Sequence, residues 1–243
     1  MSWSLCSLKL RRWYYCARHA FYHPEASAEQ PLASSTSAMA PLRECWQHSH
    51  SCGGADWRQQ EFLVVDTETS ALEIASGELL SVGWVVIRDG RILLGSAEHW
   101  LLKPQNSVGE SATIHTLRDC ELDAGLTEAE LMRRFLQAAA GRALVFHHAG
   151  LDLAFLNRIT RRLYGAPLLL PVVDTLQLEK RNLERRNRPL EANALRLANC
   201  CKRYNLPLSK AHNALTDALA TAELLLAQVS YKGKGVKLRD LIA

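Results

Sequence analysis

The stretch Glu61–Leu102, "EFLVVDTETSALEIASGELLSVGWVVIRDGRILLGSAEHWLL", decides the fold. Its opening, Glu61 to Asp66, is an apolar run of strand length. Two further runs rich in Val, Ile, Leu and Trp meet at Asp89-Gly90, a pair that accepts the positive φ of a tight hairpin turn. Three consecutive antiparallel strands are therefore expected. Downstream the period changes. Leu126 to Ala139 reads as a helix, "RALVFHH" as a fourth strand, Asp152 to Leu163 as a helix, "LLLPVVDT" as a fifth strand, and the remainder as helices. Strands separated by helices pair in parallel, so the expectation is an α/β domain with a mixed five-stranded sheet flanked by helices.

Working outward, Glu25 to Gly54 is rich in Ser, Ala and Pro and reads as a linker or loosely packed segment. This predicts an N-terminal extension over residues 1–55, a basic, aromatic helix followed by low-complexity linker, and a compact domain over residues 56–243. The extension's "SLKLRRWYYCARHAFYH" has no apolar core of a secretory signal; it reads as a packed basic helix or an organellar transit peptide. No apolar run reaches the roughly 20 residues of a membrane span. The seven cysteines are odd in number and scattered, which excludes a disulfide scaffold and fits a reducing, cytoplasmic location. Cys45, His48, His50 and Cys52 could supply four zinc ligands, but their spacing lacks paired C-x2-C knuckles. A net charge of +4 over 243 residues permits a nucleic-acid partner without requiring one.

The chemistry concentrates in four acids. Side chains alternate along a strand, so Asp66 and Glu68 share one face at the end of an apolar element. Two carboxylates about 4 Å apart repel by roughly 4 kcal/mol at an effective dielectric near 20, unless a proton or cation is shared. Asp152 opens a helix and Asp217 lies near the start of another; taken alone, each is an acid that favours the positive end of a helix dipole. In an open α/β sheet, however, strand ends and the following helix starts converge on one crevice, where all four acids can meet. Hard oxygen donors without suitable thiolates or paired histidines select Mg²⁺ or Mn²⁺. Asn213 is a good N-cap, which puts His212 at N′ and Asp217 at N4, the two positions that a hydrophobic staple normally joins.

Three motifs, Asp66-Thr67-Glu68-Thr69, "HHAGLDLAFL" with Asp152 and "HNALTDA" with His212 and Asp217, resemble the DEDDh 3′-to-5′ exonucleases, close to the epsilon proofreading subunit of bacterial DNA polymerase III. Weaker matches at "IHTL", "VVDTLQL" and "LANCCKRYNLP" keep the register, and the resemblance runs from about Asp56 to the C-terminus. It implies a ribonuclease H-like fold and a two-metal mechanism. Asp66, Glu68 and Asp217 would bind one Mg²⁺ or Mn²⁺ ion, Asp66 and Asp152 a second, and His212 would be the general base. Thr69 and Leu72 would contact the terminal nucleotide, with His115 near its base. The implied substrates are single-stranded or frayed 3′ ends of DNA, with RNA as the alternative, and the implied associate is a polymerase or repair protein.

Departures from the family pattern are Ser70-Ala71 where Thr-Gly is common, His148 for a common Asn and Leu151 for a common Phe. Ala71 would be strained only if its φ were positive. Two other readings compete: a phosphatase with Asp66 as nucleophile, which leaves Asp152, His212 and Asp217 without roles, and a non-catalytic nucleic-acid-binding module of the same fold. The basic runs "EKRNLERRNRPLE" and "YKGKGVKLRD" read as solvated surface and are not assigned to the site.

Overall fold

The computed structural model describes residues 9–12, 14, 39–48, 54–103, 124–187, 190–207 and 213–242. Its sheet has five strands: β1 (Phe62–Thr69), β2 (Leu79–Arg88), β3 (Arg91–Leu101), β4 (Ala143–Phe146) and β5 (Val172–Asp174). They lie in the order β3-β2-β1-β4-β5. The pairs β1–β2 and β2–β3 are antiparallel, whereas β1–β4 and β4–β5 are parallel. The expected mixed sheet is therefore present, and the hairpin turns at Asp89 and Gly90, both with positive φ.

Among the described residues, the helices that pack with it include α1 (Ala40–His48), α2 (Glu128–Ala139), α3 (Ala149–Tyr164), α4 (Thr175–Arg185), α5 (Leu197–Arg203) and α6 (Ala214–Lys232). Strand alternation sorts the core into two layers. Leu63 and Val65 face a cluster with Phe135, Phe155 and Leu156 from α2 and α3, while Phe62 and Val64 face Leu178 of α4 and Leu225 and Val229 of α6. Helix α3 begins at Ala149 rather than at the expected Asp152, because His148 takes a left-handed conformation (φ 72°) as N-cap and the helix starts immediately after it. Asp152 thus sits at N4, a full turn inside the helix, the same position that Asp217 occupies in α6.

The stretch expected as linker departs furthest from its reading. Within it, α1 buries Leu42, Cys45 and Trp46 and, with Met39 ahead of it, contributes to the same cluster as Phe135 and Phe155. The Trp46 indole N–H donates to Leu168 O at 2.8 Å. Arg12 donates through Nε and Nη2 to Leu169 O, at 2.9 and 2.6 Å, and through Nη1 to Trp46 O. Spacing at 39, 42, 45 and 46 is that of a helix face, so this helix shares the core of the domain. Cys45 is part of that core, and burial pushes its thiol up to about 12. His50 and Cys52 lie outside the described residues.

Candidate active site

The acids gather where β1 ends. Strand β1 runs antiparallel to β2 with Asp66 opposite Gly83 and Glu68 opposite Ser81, and its register shifts between Glu68 and Thr69. Such an irregularity bends the strand and re-aims side chains where regular pairing stops. Gly83 has a specific function here. A methyl group built on it would collide with the backbone of Ala214 and Leu215, so only glycine lets the first turn of α6 lie directly against the sheet opposite Asp66.

Helix α6 is started by Asn213, whose side-chain carbonyl accepts from the Thr216 amide at 3.1 Å and from the Thr216 hydroxyl at 3.2 Å. The first turn of the helix then carries Asp217 to the strand end. Ligand oxygens of Asp66, Glu68 and Asp217 lie within 4.8 Å of one another. Asp152 stands beside this group rather than inside it, accepting from the Thr67 hydroxyl at 2.7 Å. Its place is fixed by Asp174, a buried residue at the end of β5. One Asp174 carboxylate accepts from the amides of His148, Ala149, Leu176 and Gln177, at 3.1, 3.2, 3.0 and 3.3 Å, and so clamps the start of α3 to the start of α4. Neither Gly83 nor Asp174 was among the expected site residues. A glycine inside an otherwise apolar strand and an Asp-Thr at a strand-to-helix junction are the signals that mark them.

Electrostatics agree with the crowding. Asp66 is held well above the usual carboxylate range by burial, then by the charges of Asp152, Asp217 and Glu68. Glu68 is pushed up to about 7 by burial and by Asp217 and Asp152. Burial raises Asp152 to about 6, against the opposing pull of its Thr67 hydrogen bond. Without a cation the cluster retains protons; with one, the acids can ionise together. The three clustered donors are all carboxylate oxygens, a set that fits a hard divalent ion such as Mg²⁺ or Mn²⁺.

The loop that follows β1 answers the question raised by Ser70-Ala71. The Ser70 hydroxyl accepts from the Glu78 amide at 2.8 Å, and the Ser70 amide donates to Glu78 O at 2.9 Å, so Ser70 closes the loop on itself. Ala71 is absent from the described residues with positive φ and is therefore unstrained. Arg158 of α3 ties the same loop down, donating to Gly77 O at 2.7 Å and to Ile74 O. Thr69 is buried, its hydroxyl donating to Ala71 O at 3.1 Å, whereas Leu72 is 80% exposed at the edge of the site. His148 carries the left-handed turn that an Asn accepts readily. His212 and His115 lie outside the described residues.

A family model of the RNase T type, described as "Exonuclease", matches residues 63–225, which take in all but the first residue of β1, all four acids and most of α6. The chain belongs to this exonuclease family. Among curated proteins, a DNA polymerase III subunit epsilon-like protein of Rhodobacter capsulatus is 33% identical over 68% of this chain and 23% of its own length. A PolC-type DNA polymerase III of Thermotoga petrophila is 29% identical over 71% of this chain and 12% of its own. The exonuclease chain thus spans less than a quarter of the length of either relative. Among solved structures, the nuclease domain of 3′hExo, a DEDDh family member bound to rAMP, superposes with a TM-score of 0.63 at 13% identity, covering 78% of this chain and 98% of that one. At that identity the likeness speaks for the fold. Among the described residues, no helix is long and apolar enough to cross a membrane.

Proposed function

We propose that this exonuclease removes nucleotides one at a time from single-stranded or frayed 3′ ends, DNA in preference to RNA, and releases nucleoside 5′-monophosphates. The observation that carries the reading is the convergence of Asp66, Glu68 and Asp217 on one point, with Asp152 alongside. Asp66, Glu68 and Asp217 would hold one Mg²⁺ or Mn²⁺ ion, and Asp66 and Asp152 would hold a second. When bound, the ions supply Lewis-acid stabilisation to the attacking and departing oxygens of an in-line displacement at phosphorus. His212 takes the proton from the attacking water, which neutral imidazole can do near pH 7.

Supporting that role, His212 directly precedes the N-cap in the chain, and Asn213 already spends its side-chain carbonyl on Thr216, so the cap residue itself is not free to act as base. Leu72 offers an apolar surface to the terminal base, and the Thr69 segment positions the sugar. DNA is preferred because the relatives with sequence similarity are named as DNA polymerase III chains. A polymerase or repair partner would present such a terminus, and a cytoplasmic location accords with the neutral thiols of Cys45, Cys200 and Cys201.

The test incubates the full chain with 3′- and 5′-labelled DNA and RNA oligonucleotides in Mg²⁺, Mn²⁺ or chelator. A ladder shortening from the 3′ end, abolished by chelator and by His212→Ala, is expected. Activity without metal, internal cuts, or an unimpaired His212→Ala variant would sink the mechanism.

A further inference from the structure

The two basic runs that looked like separate solvated surfaces come together in the fold. A cavity of about 600 Å³ opens between the last turns of α4 and α6 and the C-terminal turn at Leu238–Asp240. Arg181, Arg185, Lys232, Lys234 and Arg239 line it, and among the described residues that line it Asp240 is the only acid. The surplus is four positive charges. Two helix C-termini at its wall offset roughly one of them in total, so the helix dipoles do not account for the rest. Arg181 and Arg185 stand one helical turn apart, a like-charge spacing that costs stability in the absence of a counter-ion.

Two buried polar atoms at this cavity also lack partners among the described residues: Arg181 Nη2 and Gln228 Oε1. Gln228 is only 4% exposed. Its amide nitrogen donates to Thr175 O at 3.0 Å and to Glu179 Oε2 at 3.2 Å, which fixes the side chain and leaves the carbonyl oxygen unspent. Glu179 is itself fully engaged by Arg203 and the Tyr204 hydroxyl, so it does not neutralise the cavity. Tyr231, 63% exposed, is held edge-to-face against Tyr204 at 5.0 Å between ring centres. Lys232, which donates to Asp240 O at 3.1 Å, is held below its ordinary range by burial and then by Arg181 and Arg185.

We propose that this cavity is a second ligand site, which takes a phosphorylated small molecule of nucleotide size. Its volume falls in the range of small-molecule sites. The arginine forks and lysines suit phosphate oxygens, and the Tyr231 ring offers a stacking surface for a base. The site is independent of the acid cluster: Asp217 and Lys232 are fifteen residues apart on α6, about 22 Å along the helix.

Calorimetric titration of the full chain in chelator tests it, with ATP, AMP, inorganic phosphate and a twelve-nucleotide oligothymidylate as probes. Saturable one-to-one binding of ATP is expected, weaker for AMP and weakest for inorganic phosphate. It should be unchanged in Asp66→Asn and reduced at least tenfold in both Arg181→Gln and the fully surface-placed Lys234→Gln. Circular dichroism of each variant checks that the fold persists. Absence of saturable nucleotide binding, binding unaffected by both cavity variants, or loss of binding in Asp66→Asn would overturn the proposal. Oligothymidylate binding without mononucleotide binding would overturn it in favour of a strand-tracking surface.

Discussion

At its N-terminal end α6 meets Asp66 and Glu68 with its own Asp217, whereas at its C-terminal end Tyr231 and Lys232 meet Arg181, Arg185 and Arg239. Both arrangements have the sign that a helix dipole tolerates, acids at the start and cations at the finish. Such contributions amount to about 0.3–1 kcal/mol apiece. Crowding at either end goes beyond that, and the two ends relieve it differently. Buried acids can take up protons, as the raised Glu68 and Asp152 do; guanidinium groups cannot release theirs. The acid end is thus titratable and metal-responsive, while the cationic end stays charged at every accessible pH and responds only to anions or salt.

The sharpest test of this contrast is neutralisation at each end. Asp66→Asn or Asp217→Asn should lower the nuclease rate by about a thousandfold or more, several kcal/mol of lost charge stabilisation. The same variants should melt higher than the parent in chelator at pH 8, because a repulsion has been removed. Arg181→Gln should leave the rate within about twofold. Equal losses at both ends would break the comparison.

Next in size is Gly83→Ala. The added methyl must push α6 off the sheet beside Asp66, and a shift of about 1 Å at a reacting centre can cost about a hundredfold in rate. The overpacking should also destabilise by about 1–3 kcal/mol, read from denaturant unfolding. A variant with parental rate would show that contact of α6 with β2 does not set the position of Asp217.

The pH response follows from the raised acids. In chelator, the folded state keeps protons on Glu68 and Asp152 that the unfolded chain releases above about pH 4. Their contribution to stability is therefore fully present at low pH and is lost as pH rises through about 6 to 7. Mg²⁺ should raise the melting temperature more at pH 8 than at pH 5, measured by thermal shift. An equal rise at both would detach metal binding from these carboxylates. Smallest is Arg185→Gln, which should stabilise by about 0.2–0.5 kcal/mol at low ionic strength and by less in 1 M salt.

How much of this was legible beforehand depends on the separation of the parts. The hairpin, the D-x-E strand end and the N4 acid behind Asn213 are local patterns, each contained within a few residues, and they read correctly. Asp152 was legible as a residue but not in position, since the left-handed His148 that starts α3 early leaves no mark in the periodicity. The cationic cavity was not legible. Arg181 and Lys232 belong to different helices, and each basic run alone has the composition of a solvated face. Helix α1 was missed because Ser, Ala and Pro around it mask a four-residue apolar face whose partners come much later in the chain.

That separation has a consequence for synthesis. The carbonyl that receives the Trp46 indole belongs to Leu168, 122 residues downstream. At about 5–20 residues per second the nascent α1 waits about 6–24 s for its partner to be made. Met39, Leu42 and Trp46 share their cluster with β1 and α2, which are made earlier, so their burial is completed in stages and closes last at Leu168. The α1 segment is thus made early but locked into the domain late.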